Sequence, residues 1–353
     1  MRILVTGGAG FIGSHFVRHL LRTRPGVELV NLDKLTYAGH LANLADLASD
    51  SRYHFVKGDV CDPAAVEQAI AGCSALVHFA AESHVDRSIY DPVPAIRTNI
   101  TGTLTLLMAA RKVGVGRFMH VSTDEVYGDI PAGQSASEDA PLAPNSPYSV
   151  SKAGADLLVR SFIRTYKVPA IIARPCNNYG PNQFPEKFLP LIIANALEGR
   201  ALPVYGDGKQ ERTWLHVDDT CAALGRILEH GRIGETYNIG SDTTHENIAL
   251  VREVLKLTGR PESLIEQIED RPGHDRRYAL NSAKLRNELY WSPVIGLSEG
   301  LAETMRWYRR NTAWLEQIRR GEYRDYYDKY YSNRSASLES IRRPIASRRE
   351  TKL

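Results

Sequence analysis

Thr6-Gly7-Gly8-Ala9-Gly10-Phe11-Ile12-Gly13 is the stretch whose reading decides the fold. It follows a short apolar run, Ile3–Thr6, and leads into a helix-length segment, Ser14–Arg22. Gly7, Gly10 and Gly13 give G-x-x-G-x-x-G between strand and helix. Glycines there permit a tight turn and let backbone N–H groups approach a pyrophosphate, while the helix N-terminus adds favourable partial charge. A glycine pattern alone also fits a plain strand-to-helix turn; the preceding strand and following helix favour a dinucleotide site built on Gly7, Gly10, Phe11, Ile12 and Gly13.

Outward from that turn, apolar runs alternate with helix-length segments. Candidate strands are Ile3–Thr6, Glu28–Leu32, His54–Lys57, Ala75–Phe79, Arg117–Ser122 and Ala170–Ala173, and their near-continuous apolar character suits strands buried on both faces. Ser14–Arg22, Ala95–Val113 and Pro147–Tyr166 read as helices between them. The alternation predicts an α/β fold with a Rossmann-type doubly wound parallel sheet. Pro175–Gln183 reads as a loop, Val217–Glu229 as a helix, and Thr236–Ile239 as a strand returning to the sheet. The expected division is an NAD-binding domain over 1–181 and 211–240, and a smaller mixed α/β substrate domain over 182–210 and 241–331. Residues 332–353 carry six basic and two acidic residues with no hydrophobic period, and are expected to be disordered.

Asp33 closes the second strand, twenty residues after Gly13. A carboxylate there accepts both ribose hydroxyls of an adenosine. It would repel a 2′-phosphate by about 4 kcal/mol at contact distance, so NAD is favoured over NADP. Asp59, after the third strand, is placed to meet adenine, and the small Ala80 and Ala81 after the fourth let a cofactor lie close.

Bulk properties exclude little chemistry but several partners. With 44 basic and 41 acidic residues the net charge is +3, which argues for neither nucleic acid nor an anionic membrane. No apolar run approaches the length of a membrane span, and the first residues lack a signal-peptide pattern. Cys61, Cys73, Cys176 and Cys221 have neither disulfide nor metal spacing and read as reduced thiols of a cytoplasmic protein. His15 and His19 stand four apart on the first helix, but no third ligand lies near in sequence, so no metal is expected.

Tyr148-Ser149-Val150-Ser151-Lys152 stacks a phenol and an ammonium on one helix face. A free tyrosine has a pKa of about 10, so base action at neutral pH needs it lowered by about 3 units. Lys152 and a positively charged nicotinamide are the expected causes. Thr123, just past the preceding strand, supplies a third hydroxyl.

Gly7–Gly13, Asp33, Thr123 and Tyr148 with Lys152 together resemble the extended short-chain dehydrogenase/reductase family. Its sugar-nucleotide members include 4-epimerases, decarboxylases and dehydratases, which share the redox step at C4. Ser122-Thr123-Asp124-Glu125-Val126-Tyr127-Gly128 separates them, because two carboxylates follow the threonine. Removal and return of hydride at C4 needs no further acid and base. Elimination of water across C5 and C6 does: a base for the C5 proton and an acid for the departing C6 hydroxyl. The resemblance to the nucleotide-diphosphoglucose 4,6-dehydratases, chiefly those acting on dTDP-glucose, then extends through Asp33–Gly39, His78–Ser88, Thr98-Asn99, Asn177–Pro181, Phe184–Lys187, Arg271–Tyr278 and Gly321–Arg324.

That resemblance implies C4 oxidation, loss of water and hydride return to C6, with a retained NAD and a 4-keto-6-deoxy sugar nucleotide as product. It makes Tyr148 the base at the C4 hydroxyl, Lys152 its support, Asp124 the acid, Glu125 the C5 base and Thr123 a sugar contact. It adds Lys34, Thr36, Val60, Ser83, Thr98 and Asn178 to the cofactor site. For the substrate it implies His84, Asn177, Lys187, Tyr205, Arg212, Asn247, Arg271 and His274, with the arginines on the diphosphate. The chain departs from the family pattern at Gln210 and Thr213 within Gln210-Glu211-Arg212-Thr213-Trp214, and at Ser241 and Thr244. The resemblance also implies a homodimer pairing through Ala95–Val113 and Pro147–Tyr166. The competing readings are a 4-epimerase or decarboxylase on the same fold, and a non-catalytic NAD-binding regulator.

Overall fold

The first strand, β1 (Arg2–Thr6), sends Ile3 and Val5 to one apolar layer and Leu4 to another, all fully buried. That alternation repeats along the sheet: Met119 and Val121 against Phe118, and Ile171 and Ala173 against Ile172. A strand buried on both faces needs helices on both. Phe11–Thr23 and Val217–His230 cover one face; Pro63–Ile70, Thr103–Val113 and Pro147–Tyr166 cover the other. The structure is a computed structural model and describes residues 1–318 together with Arg334 and 338–340.

The remaining strands are β2 (Glu28–Asp33), β3 (Tyr53–Lys57), β4 (Ala75–His78), β5 (Arg117–Val121), β6 (Ala170–Pro175), β7 (Asn177–Tyr179), β8 (Leu202–Tyr205), β9 (Glu211–His216), β10 (Thr236–Ile239), β11 (Thr244–Glu246) and β12 (Ile265–Ile268). A seven-stranded sheet runs β10-β6-β5-β4-β1-β2-β3, parallel throughout. This is the doubly wound order, with its switch between β1 and β4, where a crevice opens beyond the strand ends. Every strand expected from the apolar runs is present, including the return of β10 beside β6.

Three local features differ from the sequence reading. The stretch expected as one helix over Ala95–Val113 is helical at Val93–Ile96, widens to a π-turn at Arg97–Gly102, and resumes at Thr103–Val113. Asn99 is the reason: its side chain reaches inward to the Glu82 backbone, 2.9 Å from N and 3.0 Å from O, and to Ser151 Oγ at 2.8 Å. Within the expected loop Pro175–Gln183, Asn177–Tyr179 is a strand pairing parallel with β9. The tail expected to be disordered is buried at Arg334 and Leu338; most of it, with Gly321–Arg324, lies outside the described residues.

Two small sheets, β11-β9-β7 and β12-β8, lie outside the main one. A separate apolar cluster, including Ile192, Val204, Val251, Leu255, Met305 and Tyr308, underlies β8. β12, paired in parallel with β8, leads into the loop Asp270–Asp275.

Candidate active site

The glycine turn closes by geometry that side chains forbid. Gly7 has φ +71°, and a Cβ there would stand 2.6 Å from the Ala80 backbone nitrogen. β1 and β4 therefore approach through this glycine, and Ala80 borders the same cleft. The helix after it begins at Gly10 with no side-chain cap, leaving its first N–H groups for an anion. Phe11, Ile12 and Gly13 line the cleft with Gly7 and Gly10.

Asp33 is 8% exposed, and its oxygens accept from Ala9 N at 2.9 Å and Leu35 N at 2.8 Å. It braces the turn while keeping lone pairs toward the cleft, and burial raises its pKa. Lys34 and Asp59 form an ion pair of 2.8 Å on the cleft wall. Thr36, Val60, Ala81, Ser83, Thr98 and Asn178 also line it. All the residues expected to hold a dinucleotide thus meet in one cleft. Asn178 Oδ1 is buried without a partner, an acceptor that a bound carboxamide or hydroxyl fits.

The groups expected to react lie where β5 ends. Thr123 caps the turn Asp124–Tyr127, accepting from Glu125 N at 3.3 Å, and its hydroxyl donates to Asp124 Oδ1 at 3.2 Å. Across the cleft, Pro147–Tyr166 starts with Ser146 and Ser149 capping each other reciprocally. Ser88 Oγ accepts from Tyr148 N at 3.0 Å, which fixes the first turn. Tyr148 and Lys152 consequently point inward; Lys152 Nζ donates to Val121 O at 2.7 Å.

Burial sets the protonation states. Asp124 is 3% exposed, and burial, then the Glu125 charge, pushes its carboxyl up to about 7. Glu125 is also raised by burial, but Arg271, Lys187 and Arg212 pull it down, so more cations favour its ionised form. Asp124 Oδ2 and Glu125 Oε2 are both buried without hydrogen-bond partners. Burial lowers Lys152 to about 8. The expected depression of the Tyr148 phenol by Lys152 is not met by the protein's own groups: burial, then the Glu125 carboxylate, drives it upward, and only Thr123 opposes this.

A second pocket continues from Glu125, Asn177 and Lys187 to Tyr205, Asn247, Arg271 and His274. Arg212 is 3% exposed, stacks on the Tyr278 ring at 4.0 Å, and donates to Asp275 O at 2.8 Å. Arg271 Nε is buried with no partner. Burial lowers His84 to about 3 and His274 to about 4, so both imidazoles are neutral. Lys187 bonds Ser83 O. Cationic donors around a buried space suit a diphosphate. A family model described as GDP-mannose 4,6 dehydratase matches residues 4–304. A dTDP-glucose 4,6-dehydratase of Streptomyces niveus is 50% identical over 323 residues, 90% of this chain and 96% of that one.

The chain belongs to the dTDP-glucose 4,6-dehydratase family.

Two solved structures of that family overlay on it. The dTDP-glucose 4,6-dehydratase of Streptomyces venezuelae with NAD and TYD bound has a TM-score of 0.88 at 50% identity, covering 90% of this chain and 100% of that one. The enzyme of Bacillus anthracis in complex with NAD gives 0.85 at 43%, covering 90% and 99%. Against the dehydratase family pattern, two of the departures here face each other. Thr213 and Thr244 are partners across β9 and β11, and Thr244 Oγ1 donates to Glu211 Oε2 at 2.9 Å. That same oxygen receives Arg277 Nε at 3.0 Å. Sequence reasoning passed over Asp86, Glu186 and Tyr278, which line the second pocket. Their signal was weak: each stands inside a family-like stretch but has no spacing of its own that speaks of chemistry.

Proposed function

We propose that this protein catalyses the NAD-dependent dehydration of dTDP-glucose to the 4-keto-6-deoxy sugar nucleotide. The observation that carries the proposal is the adjacent buried pair Asp124 and Glu125, one holding its proton to about pH 7 and the other more strongly flanked by cations.

The glycine turn, Asp33 and the Lys152 ammonium hold the cofactor. NAD, when bound, would supply the two-electron acceptor at C4, the hydride returned to C6, and a positive charge near the phenol. Tyr148 takes the C4 hydroxyl proton, with the Thr123 hydroxyl orienting the sugar. Glu125 removes the C5 proton, made acidic by the C4 ketone, and Asp124 gives its proton to the C6 oxygen that leaves as water. Arg212, Arg271 and Lys187 grip the diphosphate and so place C5 and C6 against the pair. In this reading the NAD-binding domain over 1–181 and 211–240 carries the cofactor, and 182–210 with 241–331 carries the sugar nucleotide.

An epimerase needs no acid and base beyond Tyr148, so the pair argues against that rival. A panel of dTDP-, UDP-, GDP- and CDP-hexoses, read by mass spectrometry for loss of one water, tests the proposal. Loss of water from dTDP-glucose supports it; C4 inversion without loss of mass overturns it.

We further infer a homodimer. Leu104 and Met108 on Thr103–Val113 are 39% and 50% exposed, and Val150 and Leu157 on Pro147–Tyr166 are 46% and 55% exposed. Two packed helices each offering an apolar pair form a surface that a second copy covers.

A further inference from the structure

Arg334 lies beyond the segment that the family model matches, yet it is buried at 5% exposure beside the second pocket. Its guanidinium is held from several sides. Nε donates to Glu269 O at 2.6 Å, the plane covers the Tyr205 ring at 4.3 Å, and Nη1 stands 4.0 Å from Asp86 Oδ2. Each partner touches the pocket or its frame. Tyr205 donates its phenol to Asp86 Oδ2 at 2.5 Å, and Asp86 Oδ1 faces Arg271 Nη1 at 3.6 Å. Glu269 immediately precedes the loop that carries Asp270, Arg271 and His274, and Asp270 holds His274 Nδ1 at 2.6 Å.

We propose that Arg334 is a positioning residue for the sugar-nucleotide diphosphate, acting through Asp86, Tyr205 and the Arg271 loop. The inference rests on the dehydratase reading of the site. The physical reason is charge sharing. Asp86 is buried, and a lone carboxylate there draws the nearest cation fully onto itself. With Arg334 and the Tyr205 phenol satisfying Oδ2, Arg271 is held at 3.6 Å rather than in a closed pair, and its Nε remains unpartnered. The same guanidinium anchors the carbonyl from which the Arg271 loop departs. Arg334 thus sets where Arg271 stands and how much of its charge reaches the ligand.

The role is on binding, because the contacts of Arg334 run to Glu269, Tyr205 and Asp86 beside the second pocket. Replacing Arg334 by Ala in the full chain is expected to weaken dTDP binding by calorimetry, and to raise KM for dTDP-glucose, by about tenfold, the worth of one charge-assisted contact. The turnover number stays within about twofold on the same reasoning. Arg334→Lys keeps the charge and the stem and is expected to recover part of both losses. Retained NAD, measured on the purified variants, reports that the main sheet is intact. Wild-type affinity for dTDP in Arg334→Ala overturns the inference, as does a fall in turnover with affinity unchanged. If Arg334→Ala does not fold, Arg334→Lys with wild-type dTDP affinity and KM overturns it. A wild-type chain that binds NAD but neither dTDP nor dTDP-glucose sinks the dehydratase reading itself, and the inference with it.

Discussion

Asp124→Asn is expected to make the protein more stable and nearly inactive. Asp124 is 3% exposed, and its carboxyl is pushed from 3.8 to about 7, by burial first and Glu125 second. A folded-state pKa above the unfolded one means that the folded chain keeps a proton the unfolded chain has released. Stability therefore falls as pH rises through that window, and the whole penalty is present above about pH 7. Its size is about 4 kcal/mol at pH 8 and about 2 kcal/mol at pH 5, at 1.36 kcal/mol per pH unit. Asparagine has nearly the same shape, accepts the Thr123 hydroxyl through Oδ1, and carries no charge at any pH. Urea denaturation at saturating NAD should show the variant gaining over wild type as pH rises from 5 to 8, with no further gain beyond. Dehydration should fall about 10²–10⁴-fold, the usual contribution of a positioned acid. A gain that does not change with pH refutes the burial argument, and undiminished dehydration refutes the acid assignment.

Other consequences follow from the same geometry. The Lys152 ammonium is lowered to about 8 by burial, so its charge is present below pH 8 and lost above; wild-type turnover should decline past pH 7 and again past 8, and the residual rate of Asp124→Asn should show the second decline alone. Gly7→Ala sets a Cβ 2.6 Å from Ala80 N at φ +71°, so the purified variant should contain no NAD by absorbance and chromatography. Leu157→Asp places a charge on the exposed apolar face, and sedimentation should report a dimer for wild type and a monomer for the variant.

The sequence by itself determined the main sheet and singled out the candidate reacting groups. Strands buried on both faces leave long apolar runs, and Ile3–Val5 or Ile171–Ala173 read the same alone as in the fold. Gly7, Gly10 and Gly13 carry their backbone demand with them, and Tyr148 with Lys152 share a helix face through spacing alone. Only the tertiary structure decided what lies outside these local patterns. β8 is only four residues long and β9, β11 and β12 are only partly apolar; all are held by partners far along the chain, so no period marks them. The π-turn at Arg97–Gly102 exists because Asn99 bonds Glu82 in the loop after β4 and Ser151 on the helix Pro147–Tyr166. Protonation states depend on burial and on charges brought from distant segments: Asp124 rises to about 7 where solvent is excluded, while Glu125, its neighbour in sequence, faces Arg271, Lys187 and Arg212. Neighbouring residues of one type become an acid and a base only when the folded chain gives them different surroundings, and no local pattern encodes those surroundings.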